Sequence, residues 1–212
     1  MSNILNNIDN IIFDLGGVIL EIDIDIIKKG FISLGFSDLE SSFELFKHNQ
    51  VFEKFEKGQI EPQVFRNEIR KACPKPFSDI QFDKVWNSVI LNYPPKNIQL
   101  LKTLQKKYAT FLLSNTNEIH YNYYTEILKE KFAIKKLDLL FDKAYYSHTS
   151  SMKKPNTEFF KLVLHENNLK PEKTLFIDDL EENIEAAKSL AIKTIHLTDF
   201  NLTDVLIPSP NN

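Results

Sequence analysis

Five polar side chains, far apart in the chain, have the types that phosphoryl chemistry needs: Asp14, Ser114, Lys154 and the adjacent pair Asp178-Asp179. Three carboxylates drawn together repel one another, and burying them without a cation is costly. A hard divalent cation resolves that, and carboxylates with a backbone carbonyl and waters suit Mg²⁺. A serine hydroxyl and a lysine ammonium suit a phosphate. A carboxylate nucleophile beside a cation, a lysine and a hydroxyl makes a phosphoryl-transfer site working through an aspartyl-phosphate. Each residue alone has a plainer reading. Asp14-Leu15-Gly16-Gly17 is also a turn with a capping aspartate, Asp178-Asp179 a helix cap, and Ser114-Asn115-Thr116-Asn117 a turn-rich segment.

The elements around these residues decide between the readings. Asn10-Ile11-Ile12-Phe13 is a short apolar, β-branched run that reads as a buried strand ending at Asp14. Tyr108 to Leu113 is a second such strand, ending at Ser114. Ala144-Tyr145-Tyr146 is a third, opening into the polar loop Ser147 to Lys154. Thr174 to Ile177 is a fourth, ending at Asp178-Asp179, and Lys193 to Leu197 is a fifth. Amphipathic stretches at about 96–107, 118–131, 156–167 and 182–190 separate them. Strands alternating with helices imply a parallel sheet covered on both faces, whose carboxyl edge gathers all the polar stations.

Between the first strand and the prolines at 94–95 the pattern differs. Glu21 to Ile26 alternates like a short strand, with Asp23 as a helix cap. From Ile26 to about Asn92 the period is helical. Phe43 with Phe46, Phe52 with Phe55 and Phe65 with Ile69 recur at helix spacing and read as core. Trp86, Val89 and Ile90 are expected on a last helix, with no strand in the stretch. The terminal run from Pro208 to Asn212 is expected to fray.

Composition limits the classes of function. At 212 residues the chain can bury a full core, and 42% hydrophobic with 26% charged residues is a globular balance. A formal net charge of −3 offers no basic field for nucleic acid. The single cysteine, Cys73, precludes an internal disulfide and any zinc site built mainly from cysteines. With no basic n-region and no long apolar run, a soluble, cytoplasmic protein without a membrane partner is expected.

The ordered set of motifs resembles the haloacid dehalogenase superfamily of hydrolases. The resemblance rests on Phe13-Asp14-Leu15-Gly16-Gly17-Val18, then Leu112-Leu113-Ser114-Asn115-Thr116-Asn117, then Met152-Lys153-Lys154-Pro155. Phe176-Ile177-Asp178-Asp179 with Asn183-Ile184-Glu185-Ala186-Ala187 completes it. It implies an α/β fold: a Rossmann-like parallel core over 1–20 and 93–212, with a helical cap inserted at 21–92. Phe52-Glu53-Lys54-Phe55-Glu56-Lys57-Gly58-Gln59-Ile60 is similar to caps of the sugar-phosphate phosphatase branch, and to the phosphatase-like domain of some epoxide hydrolases.

By the same resemblance Asp14 is the nucleophile and a metal ligand, Gly16 lends a carbonyl to Mg²⁺, and Asp179 and Asp178 complete the metal site. Ser114 and Asn115 contact the phosphorylated substrate, and Lys154, rather than a solvated Lys153, neutralises it. Two departures stand out. Gly16 replaces the second aspartate that serves such phosphatases as general acid, and Ser151 stands where glycine is common. The implied function is a Mg²⁺-dependent phosphatase acting on a small phosphorylated metabolite such as a sugar phosphate, with leaving groups that need little protonation. Two alternatives stay open: a phosphate-binding regulatory protein with little turnover, and a metal-independent 2-haloacid dehalogenase, against which the acidic pair argues. His148, near Lys154, is a candidate replacement acid or a surface histidine. The other histidines receive no role.

Overall fold

In a computed structural model, residues 3–207 are described, apart from the side chains of Asn3 and Phe43; the run from Pro208 to Asn212 lies outside them. Five parallel strands form the main sheet: β1 Asn10–Phe13 and, later in the chain, β4 Ala109–Ser114, β5 Lys143–Tyr146, β6 Thr174–Asp178 and β7 Lys193–His196. Their spatial order is β5-β4-β1-β6-β7. The chain leaves β1 for β4 and β5 on one side and then returns to build β6 and β7 on the other. That reversal puts a topological switch point beside the carboxyl end of β1, where ligands settle in open α/β sheets.

Alternation of side chains explains the layers. Ile11 and Phe13 of β1 join Leu112 and Ile177 on one face. That face is covered by α6 (Pro95–Leu104) and α7 (Glu118–Phe132), through Ile98, Leu101, Tyr124 and Leu128. Ile12 points the other way with Phe111, Leu113 and Phe176. It meets α9 (Thr157–Glu166) and α10 (Glu181–Lys188), through Phe159, Phe160, Val163, Ile184 and Ala187. A one-turn α8 (Ser147–Ser150) follows β5, and α11 (Leu202–Leu206) closes the described chain.

Five helices lie between the first and second strands of the sheet: α1 Ile24–Leu34, α2 Leu39–His48, α3 Val51–Glu56, α4 Pro62–Lys71 and α5 Asp79–Trp86. Asp23 caps α1, its carboxylate accepting from Asp25 N at 2.9 Å. These helices enclose a further apolar cluster, rich in phenylalanine, which Ile119 of α7 joins: Phe31, Phe36, Phe46, Phe55, Phe65 and Phe82 are buried. Two expectations for this stretch need correcting. The alternating segment after β1 yields only β2, Glu21–Ile22, before α1 begins. Trp86 ends α5, Asn87–Val89 is a 3₁₀ turn, and Ile90 opens a strand, β3 Ile90–Asn92, antiparallel to β2. Three residues carry too little periodicity to mark a strand in sequence.

Candidate active site

Asp14 follows β1 directly. Phe13 is in register with Leu112 of β4 and Ile177 of β6, so Asp14, Ser114 and Asp178 emerge at one sheet edge. Its amide still donates to Ile177 O at 2.9 Å, which continues the ladder one residue past the strand. The turn that follows is wound tightly on Leu15, whose carbonyl accepts from Ile19 N and Leu20 N at 2.9 and 2.8 Å. Asn97, buried on α6, pins that turn by donating to the carbonyls of Val18 and Ile19 at 3.3 and 3.2 Å.

Lys154 reaches into the same edge and is 1% exposed, which for a lysine requires charge partners. Its ammonium donates to Asp14 Oδ1 and to Asp178 Oδ2, each at 2.6 Å. Asp178 also accepts from Leu180 N at 2.9 Å and from the amide of Asn183 at 2.9 and 3.1 Å. Asn183 stands five residues along, inside the fourth motif, and steadies this carboxylate. Asp179 completes the group: one oxygen from each of Asp14, Asp178 and Asp179 lies within 4.8 Å of the others.

The electrostatics of the group are unbalanced. The Asp14 carboxyl is pushed up to about 7, chiefly by burial and further by Asp178 and Asp179, against the downward pull of Lys154. Asp179 is likewise raised, first by burial and then by Asp178. Burial opposes the charge on Lys154, yet Asp14 and Asp178 outweigh it and hold its pKa above the usual value. Three carboxylates against one ammonium leave excess negative charge in a largely buried place. That donor set fits a hard divalent cation, which would take carboxylate oxygens at short range.

The backbone makes room for this arrangement. Gly17 has φ +73, and a Cβ there would stand 2.3 Å from Asp179 Oδ2. Only glycine both adopts that turn and leaves the carboxylate its place. Gly16 is less confined, since a Cβ would touch Ile22 Cδ1 at 3.3 Å. Ser151, at φ 54, takes the left-handed conformation usually given to glycine.

The expected residues are thus gathered, with differences in detail. Ser114 is the last residue of β4, is buried, and borders a hollow of about 220 Å³ that Gly16, Ile22 and His120 also line. Asn115 borders it too, but its amide clasps the main chain of Lys154, accepting from Lys154 N and donating to Lys154 O at 2.8 Å each. It therefore positions the lysine. Lys153, expected in solvent, is half-buried in an ion pair with Glu56 of α3. His148 packs against Tyr121 and Tyr146, and burial pushes its pKa down, which disfavours the charged form an acid would need.

Three residues near the site had no assigned part. Trp86 and His120 lie nearly parallel, with ring centroids 5.0 Å apart. Asn117 ties them together, accepting from Trp86 Nε1 at 3.3 Å and contacting His120 Nδ1 at 3.1 Å. Their sequence separation hides the contact, although Asn117 at the head of α7 is a recognisable cap.

Comparisons with known proteins show the family. A family model for haloacid dehalogenase-like hydrolases matches residues 8–190. A D-ribitol-5-phosphate phosphatase of Bacteroides thetaiotaomicron is 30% identical over 88% of this chain and 90% of its own. A sesquiterpene phosphatase of Aspergillus oryzae is 27% identical over 72% of this chain and 74% of its own. Among solved structures, a haloacid dehalogenase-family enzyme of B. thetaiotaomicron, in complex with magnesium and inorganic phosphate, is 38% identical. It superposes with a TM-score of 0.80 over 89% of this chain and 93% of that one.

Proposed function

The chain belongs to the haloacid dehalogenase-like hydrolases, and from that premise we propose that it is a Mg²⁺-dependent phosphatase of a small phosphate monoester. The observation that carries this is the buried bridge from Lys154 to Asp14 and Asp178, at 2.6 Å each, with Asp179 alongside. The family's sugar-phosphate phosphatase and the neighbour holding magnesium and phosphate support it.

Asp14 is the nucleophile. Its carboxylate oxygen attacks phosphorus, the bond from phosphorus to the ester oxygen breaks, and the departing oxygen takes a proton from water. A second water then attacks the phosphorus of the aspartyl-phosphate, releasing inorganic phosphate and returning Asp14 as carboxylate. Lys154 opposes the rise that burial imposes on the Asp14 pKa and offsets charge on the phosphoryl group. Ser114 donates to a phosphoryl oxygen, and Asn115 fixes the main chain from which Lys154 projects. Asp14, Asp178, Asp179 and the Gly16 carbonyl would hold Mg²⁺. Bound there, it would neutralise phosphoryl charge as a Lewis acid.

Gly16 has no side chain with which to protonate a leaving group. General acid help is commonly worth ~10²–10⁴-fold, so leaving groups of low pKa are favoured. The helices over 24–86, within the cap reading of 21–92 against a core of 1–20 and 93–212, are the part that closes over the substrate. Among the described residues no helix is long and apolar enough to cross a membrane. The relatives act on partners as different as a ribitol phosphate and a sesquiterpene, so kinship leaves the alcohol open.

The test is phosphate release from p-nitrophenyl phosphate with and without Mg²⁺. Wild type should turn over only with the metal, and Asp14→Asn should lose ~10⁴-fold or more. Mg²⁺ binding with no turnover in either protein would instead favour the binding-protein reading that the bare Gly16 suggests.

A further inference from the structure

Beside the hollow at Ser114 lies a larger one with a different chemistry. It measures about 520 Å³, inside the range of roughly 300–1,000 Å³ usual for small-molecule sites. Its walls are Ile24 and Ile27 of α1, Phe52 of α3, Trp86 of α5, Val89 and His120 of α7. Ile24, Val89 and His120 border the smaller hollow as well, so the two meet at these side chains, next to Gly16 and Ser114.

The ring nitrogens of these walls are already engaged, and further polar capacity lies only at the rim, on Glu56 and Lys28. Trp86 Nε1 donates to Asn117. The two ring nitrogens of His120 contact Asn117 Nδ2 at 3.1 Å and the Trp86 carbonyl at 3.0 Å. At the rim, Glu56 pairs with Lys153 and Lys28 with Asp25. A polyol seated against the inner walls would bring hydroxyls that find few partners there, which is unfavourable once water is excluded. An apolar group gains from the same walls.

The walls are also flat. The rings of Phe52 and Trp86 are parallel to within 2°, with centroids 5.8 Å apart, and Trp86 and His120 are parallel to within 16°. These rings stack on one another, and the apolar ring surface they leave towards the cavity suits an aromatic guest in edge or offset contact. Gly16 points the same way from the chemistry, because a phenolate departs without the proton that an alkoxide requires.

We propose that this hollow seats the leaving group, and that the substrate is the phosphate monoester of an apolar aryl alcohol rather than of a polyol. The assignment rests on the phosphatase reading above. Three ligands of the Mg²⁺-loaded protein test it: benzylphosphonate, the phosphonate analogue of a pentitol phosphate, and inorganic phosphate. Trp86 is the only tryptophan, so its emission reports occupancy of the hollow, and calorimetry gives the affinities.

Benzylphosphonate should bind at least 10-fold more tightly than the pentitol analogue, with a saturable change in Trp86 emission at the same midpoint. Ile24 is 61% exposed, so Ile24→Asp leaves the packing intact. It should cut the preference for benzylphosphonate over inorganic phosphate at least 10-fold. Equal or tighter binding of the pentitol analogue would overturn the assignment, as would a preference that Ile24→Asp leaves unchanged. The two readings fail separately. Aryl-selective binding without turnover of p-nitrophenyl phosphate upholds the apolar seat and removes only the phosphatase reading. Mg²⁺-dependent turnover without aryl selectivity removes only the seat.

Discussion

At the scale of single residues, the site is a charge balance around Asp14. Burial and two further carboxylates raise its pKa to about 7, and Lys154 supplies the only ammonium bonded to it among the described residues. Gly16 is the residue whose absence of a side chain shapes the chemistry. A Cβ at position 16 meets only the movable end of Ile22, at 3.3 Å, so an aspartate fits with a small shift. Gly16→Asp should raise kcat/KM for alkyl phosphates by about 10²-fold, while aryl phosphates gain little. Initial rates across esters of graded leaving-group pKa check this, and the slope should become shallower. If the slope does not change, position 16 does not limit proton delivery.

At the scale of elements, two contacts among others tie α3 and α5 to the core. One is the contact of α3 and its following turn with the segment before Lys154. Gly58 has φ +63, and a Cβ there would lie 1.9 Å from the His148 carbonyl; Glu56 pairs with Lys153 alongside. Gly58→Ala should therefore cost ~1–3 kcal/mol and lower kcat/KM, read by denaturant melts and steady-state rates.

The other joint is Trp86 against His120. Burial depresses the His120 pKa to about 4, below its ordinary value near 6.5. Between those values the unfolded chain takes up a proton that the folded chain refuses, so stability present above pH 6.5 is lost as pH falls towards 4. The ring is only partly covered, and the loss should be about 2 kcal/mol. It is measured as the narrowing, from pH 7 to 4.5, of the stability gap between wild type and His120→Phe.

At the scale of the whole molecule, the sheet brings three carboxylates together from two distant segments, and folding works against their repulsion. Mg²⁺ at about 100 times its Kd should raise the unfolding free energy by about 2.7 kcal/mol, seen as a shift in the urea midpoint. Asp179→Asn should remove most of that shift. A metal-induced shift of equal size in the variant would place the cation elsewhere.

The sequence by itself determined the five-strand α/β alternation and the residues at the carboxyl edge. Strand periodicity is local, and Asp14, Ser114 and Asp178-Asp179 each follow an apolar run directly. It also determined that Gly16 offers no acid, because that is a matter of residue type alone. What only the tertiary structure decided are contacts across long separations: β3 pairing with β2, Asn115 clasping Lys154, Lys153 drawn to Glu56, and Trp86 laid against His120. None has a local signature. A phenylalanine at helix spacing reads as core whether it is wholly enclosed, like Phe65, or turned towards a cavity, like Phe52. Helical period says which face is apolar, and only the packing of one helix on another says what that face meets.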